Sequence, residues 1–187
     1  DVIFTSGATE SVNLAIKGAS GFLKPGRIVT SAVEHPAVLS AVKQLEKLGW
    51  EVLLWPVNNY GQIRLDLLDK MLAPPTKFVS IIWGQSEIGT TQPITLIGEE
   101  CRRRKIIFHT DATQVVPHGL FRWDEIPVDL LSASAHKLQG PKGVGLLLYR
   151  SNNHIRINPL QGGGSQEHRL RAGTESVALI AGFAEAL

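Results

Sequence analysis

The chain has 187 residues, of which 43% are hydrophobic and 19% charged, and its formal net charge is +2. That length suits one domain with a real core, since roughly 70% of the unfolded surface is buried at this size. Nothing in the near-neutral balance asks for a nucleic-acid or anionic-membrane partner.

The sequence begins without methionine on the apolar run Val2-Ile3-Phe4. Residues 2–5 read as a strand. Ser6-Gly7-Ala8-Thr9-Glu10-Ser11 follows, and Val12, Ala15, Ile16 and Ala19 then recur at helical spacing. A glycine turn that opens a helix permits close backbone approach and offers free N–H groups at the positive dipole end, as a phosphate site needs. A plain capped turn has the same signature.

A second strand, 27–30, leads to Val33-Glu34-His35-Pro36 and a helix marked by Val38, Ala41, Val42 and Leu45. Strand 51–57, a helix marked by Leu65, Leu68 and Leu72, and strand 77–83 follow. Beyond Gln85-Ser86-Glu87-Ile88-Gly89, Pro93 and Thr95 introduce a helix reaching about Arg104. Its last turn carries the basic run 102–105, which suits the helix dipole and solvent. Cys101 lies in this helix, where a half-buried structural thiol is expected. A lone cysteine forms no internal disulfide, so an intracellular, cytoplasmic protein is expected. No apolar run approaches the roughly 18 residues of a membrane-spanning helix.

Strand 106–110 ends in Asp111-Ala112-Thr113-Gln114. A carboxylate at the end of a buried strand is costly without a cationic partner: a protonated pyridine nitrogen, an arginine or a helix start. Strand 130–134 runs into Ser134-Ala135-His136-Lys137 and Gly140-Pro141-Lys142-Gly143. A lysine at the mouth of a sheet serves as an imine-forming nucleophile if its pKa is lowered, or as a solvated surface group. Strand 143–149, a glycine-rich basic stretch at 162–173, Thr174 and an apolar helix at 177–187 complete the chain. Both ends are expected to be cuts in a longer protein.

Alternating strands and helices predict an α/β fold with a mostly parallel sheet flanked by helices, in one domain over 1–187. Ligands then sit beyond the carboxyl ends of the strands. A phosphate-type helix start, a strand-end Asp and a strand-end Lys on one edge answer the needs of pyridoxal 5'-phosphate: a cup for the phosphate, a carboxylate for the ring nitrogen, and a lysine.

In their order and spacing, Thr5 to Ser11, Val33-Glu34-His35, Glu87-Ile88-Gly89, Asp111 to Gln114, Ser134 to Lys137 and Arg171-Ala172-Gly173-Thr174 resemble the cysteine desulfurases. These belong to the class V aminotransferase family, with the large-domain architecture of fold type I. The resemblance covers nearly the whole chain and places the small carboxyl-terminal domain outside it. It implies that Lys137 binds the cofactor covalently, Asp111 pairs with the ring nitrogen, Gln114 meets the ring oxygen and His35 stacks on the ring. Ala8, Thr9, Ser134 and His136 would hold the phosphate. Lys137 or His35 would move protons. Thr174 would reach the partner subunit's cofactor, implying a homodimer.

The implied reaction turns L-cysteine into L-alanine and a persulfide, with a sulfur-acceptor protein downstream in iron–sulfur cluster or thio-cofactor assembly. No metal, nucleic acid or membrane is expected. This sequence departs from the family pattern at Ser86, where an asparagine usually meets ring and substrate, and at Ser165 and Arg169, where glycines are usual. The family's catalytic cysteine and carboxylate-binding arginine lie beyond this chain, and Cys101 does not match the former. Alternatives are a selenocysteine lyase, a cysteine-sulfinate desulfinase, another class V transaminase or lyase, or a truncated non-catalytic module.

Overall fold

The computed structural model describes residues 1–119, 121–151 and 155–187. Its centre is a seven-stranded sheet in the order β1-β7-β6-β5-β4-β2-β3. The strands are β1 (Val2–Thr5), β2 (Arg27–Ser31), β3 (Glu51–Trp55), β4 (Thr76–Ile82), β5 (Ile107–Asp111), β6 (Leu130–Ser134) and β7 (Gly145–Tyr149). β2 to β6 pair in parallel, whereas β7 lies antiparallel between β1 and β6. The mostly parallel sheet expected from the sequence is therefore present. Its antiparallel member follows from chain length, because the 135–144 connection is shorter than the dozen or so residues of a parallel crossover.

Helix α1 (Ala8–Asn13) continues through a π-helical turn, Leu14–Gly18, and packs with α2 (Pro36–Glu46) on one face. The opposite face carries α3 (Leu68–Met71), α4 (Ile94–Arg104) and α5 (Val177–Ala186). Phe78 and Ile107 enter the first core, and their chain neighbours Val79 and Phe108 the second. Alternating burial in two cores is why these strands read as continuous apolar runs. Each such fully buried side chain contributes roughly 1.5–3 kcal/mol.

Two expectations are corrected here. β3 is an edge strand, so Leu54 is 51% exposed where burial on both faces was expected. Cys101 is fully buried, not half-buried, because α4 turns it onto Ile97, Phe108 and the rest of the second core. The basic end of α4 is as expected, with Arg103 on Glu100, and Arg104 on Glu100 and Asp69.

Candidate active site

β1, β2, β4, β5 and β6 end on the same edge, where antiparallel β7 begins. Beyond them lies a cavity of about 710 Å³. Ala8, Thr9, His35, Ser86, Asp111, Gln114, Ser134, His136 and Lys137 all line it. Thr174 does not. It is exposed and lines a smaller neighbouring cavity of about 170 Å³ that shares Ser6 and Gly143 with the first.

One end of the cavity is built for an anion. Gly7 caps α1 with φ 154° and ψ 174°, a conformation open to glycine, and brings no side chain to bond the first-turn amides. A helix start leaves those N–H groups without intrahelical partners. The turn lies tight against the sheet because residue 145 is glycine: a Cβ there would stand 2.6 Å from Gly7 Cα. Glu10 holds the turn, accepting from the Ser6 amide at 2.7 Å and from Arg171 Nε at 2.9 Å. Burial pulls the Glu10 carboxyl up, but Arg171 and Ser6 outweigh it and hold the group below its ordinary range. Across the turn, Ser134 Oγ lies 2.8 Å from His136 Nδ1. Ser134 is buried and His136 exposed.

At the other end, Asp111 is 5% exposed. Its Oδ1 accepts from the Thr113 amide at 3.0 Å and the Thr113 hydroxyl at 2.5 Å. Its Oδ2 accepts no hydrogen bond among the described residues, while the residue faces the cavity. Burial pushes this carboxyl up, opposed by the two Thr113 bonds and by nearby His35. A carboxylate so placed calls for a cation on its open side. Lys137 stands exposed in the single turn Ala135–Leu138 that follows β6, and it lines the cavity.

His35 is tied down by one ring nitrogen. The Ala37 amide donates to Nδ1 at 3.1 Å, so the side chain caps α2. A neutral ring that accepts at Nδ1 carries its proton on Nε2. Ser86 lines the cavity, whereas the Gln85 side chain turns back to accept from the amides of Glu87 and Ile88 at 2.6 and 2.9 Å. Gln85 is thus committed to its own turn and does not replace the longer side chain missing at 86.

The sequence did not disclose the parts played by Thr113, by Gly145, or by Glu34, whose buried carboxyl accepts from the Ile82 amide at 2.9 Å. Thr113 had a readable signal, two residues after a strand-end Asp. The other two depend on elements distant in the chain. Lys142 also lines the cavity, from the Gly-Pro-Lys-Gly turn before β7.

A model of the family described as Aminotransferase class-V matches residues 1–187. The chain is 49% identical over 189 residues to cysteine desulfurase IscS of Dictyoglomus turgidum, covering all of this chain and 48% of that protein. It is 46% identical over 190 residues to the mitosomal cysteine desulfurase of Encephalitozoon cuniculi, covering all of this chain and 44% of that protein. A solved structure described as SspA in complex with cysteine superposes with a TM-score of 0.91 at 40% identity, over 99% of this chain and 54% of that one. The chain thus spans about half the length of the relatives it matches.

Proposed function

We propose a function on the premise that the chain belongs to the aminotransferase class-V family: the full-length protein is a pyridoxal-phosphate-dependent cysteine desulfurase. L-cysteine and a thiol of the protein would give L-alanine and a protein persulfide. The substrate C–S bond breaks, an S–S bond forms, and a proton replaces sulfur on carbon. The names of the relatives support this reaction. The observation that carries it in this chain is Asp111, nearly buried, with one oxygen held by Thr113, on the cavity that Lys137 also lines.

These residues fit the cofactor. Lys137 would hold it covalently, Asp111 its ring nitrogen, Gln114 its ring oxygen and His35 its ring face. Ala8, Thr9, Ser134 and His136 would hold its phosphate. When bound, the cofactor supplies an electron sink for substrate carbon. Asp111 would favour a protonated ring nitrogen. The tether to Ala37 divides the proton work: Nε2 of His35 is a donor, so Lys137 Nζ is the base. Cys101 is too deep to take the sulfur, and burial also pushes its thiol up, away from the nucleophilic thiolate. The reading includes a cytoplasmic homodimer in which Thr174 serves the partner's site, and a separate protein that accepts the sulfur.

Ser86 favours a second reading of the same site, in which the preferred substrate is selenocysteine or cysteine sulfinate. Comparing kcat/KM for the three substrates separates these. The central test is reduction of the cofactor-loaded protein with borohydride and mapping of the labelled peptide. Label on Lys137, lost in Lys137→Ala, is expected; label elsewhere, or undiminished in that variant, overturns the reading.

A further inference from the structure

Glu34 has no part in the reaction proposed above, yet it is built into the same edge. It sits between β2 and α2, one residue before His35, and is 6% exposed. Its Oε1 accepts from the Ile82 amide at 2.9 Å and from Ser31 Oγ at 2.5 Å. Its Oε2 is sealed from solvent and has no hydrogen-bond partner among the described residues. No lysine or arginine pairs with it among the described residues. Ile82 ends β4 and is the register partner of Asp111, so the Glu34 carboxyl bonded to its amide stands near the buried carboxyl that ends neighbouring β5.

The ionisable groups around Glu34 make its charged form costly. Asp111, facing it from β5, disfavours a second negative charge. His35, at the start of α2, acts on Asp111. Glu10, Glu87, His136, Lys137 and Lys142 line the cavity beyond. An ionised Glu34 would leave a buried oxygen with neither hydrogen bond nor cation. Burial is accordingly the largest influence on this carboxyl, which is pushed up to about 8.

We propose that Glu34 is a positioning residue: as a neutral carboxyl it ties the His35 turn to the end of β4, so that His35 stands at the cavity and Asp111 is the anion offered to the ring nitrogen. This rests on the cofactor reading above. The full-length protein, with Glu34→Gln and Glu34→Ala, is titrated with pyridoxal phosphate at pH 6.5 and pH 9, with thermal melts to check folding.

At pH 6.5 the Gln variant, which mimics the neutral acid, binds like the wild type, and the Ala variant binds more weakly. At pH 9 about one-tenth of wild-type Glu34 is neutral, so wild type binds about tenfold more weakly than Glu34→Gln. A wild-type to Gln ratio that stays constant across pH, or a Gln variant as impaired as Ala at pH 6.5, overturns the proposal. If the Ala variant does not fold, the pH comparison decides alone. A wild type that takes up no cofactor on Lys137 overturns the cofactor reading and this proposal with it. A wild type that binds on Lys137 but shows a constant ratio overturns only the role of Glu34.

Discussion

The Ala37 amide donates to His35 Nδ1 at 3.1 Å, so one side chain both starts a helix and faces the cavity. The two roles separate by substitution. Asparagine is among the best helix N-caps, so His35→Asn should keep the stability of the wild type while losing the ring. His35→Ala should lose the ring and about 1 kcal/mol as well. Chemical denaturation of the apo proteins measures the first effect, and the visible absorbance of bound cofactor the second. Equal stability of the Asn and Ala variants would show that the cap bond contributes nothing.

Asp111 carries a conflict that substitution should expose. Its folded-state pKa is raised, chiefly by burial, so the apo protein loses stability from this group as pH climbs above the unfolded value through the folded one. Asp111→Asn removes that cost, and the apo variant should melt no lower than wild type at pH 7. With pyridoxal phosphate the order should reverse, because only the carboxylate pairs with a protonated ring nitrogen. Turnover of L-cysteine by the full-length variant should fall steeply. Melting curves with and without cofactor check this, and an equal gain from cofactor in both proteins contradicts the role.

Much of this was legible in the chain. All seven strands appear as short, mostly apolar runs, since most of them are buried on both faces. The strand-end positions of Asp111 and Lys137 and the glycine turn at Gly7 follow once the strands are placed. Strand direction was less visible: only the short 135–144 connection marks β7 as antiparallel. Edge position was invisible, and Leu54 looks no different in sequence from a buried leucine. The tautomer of His35 is set two residues on, by the Ala37 amide, but the protonation of Glu34 and the need for glycine at 145 come from contacts between segments far apart in sequence. No local pattern encodes them.

Cys101 gives a third prediction. It is fully buried against Ile97 and Phe108, and burial drives its thiol pKa upward. Cys101→Ala in the full-length protein should cost about 1–2 kcal/mol through the small cavity it leaves. Alanine release from L-cysteine should be unchanged. Native Cys101 should also resist alkylation until the protein is unfolded. Loss of alanine release in a folded Cys101→Ala protein would make this thiol the sulfur acceptor.

The last prediction concerns the pH range in which the apo fold is most stable. His109 is completely buried on β5, with Nδ1 2.8 Å from Ser80 Oγ and Nε2 2.9 Å from Ser132 Oγ. Burial pushes its pKa down to about 3, so the folded state holds a neutral ring. Its unfolded pKa is 6.5, and its contribution is complete above that value and lost as pH falls toward 3. Glu34 acts in the opposite sense. Its pKa rises from 4.5 to about 8 on folding, so its contribution is complete below 4.5 and lost as pH rises to 8. Between pH 4.5 and 6.5 the two slopes cancel; below that window the histidine dominates and above it the glutamate, while Asp111 adds in the direction of Glu34. Each arm is worth several kcal/mol in order of magnitude. Denaturation of the apo protein from pH 4 to pH 9 should show the summit on the acid side of neutrality. Glu34→Gln should flatten the alkaline arm, apart from the share of Asp111, and leave the rise from His109 uncompensated by Glu34 between pH 4.5 and 6.5. His109→Asn, whatever it costs by leaving a smaller side chain in the sheet, should flatten the acid arm and leave the fall from Glu34 uncompensated between pH 4.5 and 6.5. An acid arm of unchanged slope in the folded Asn variant would mean that His109 does not set it.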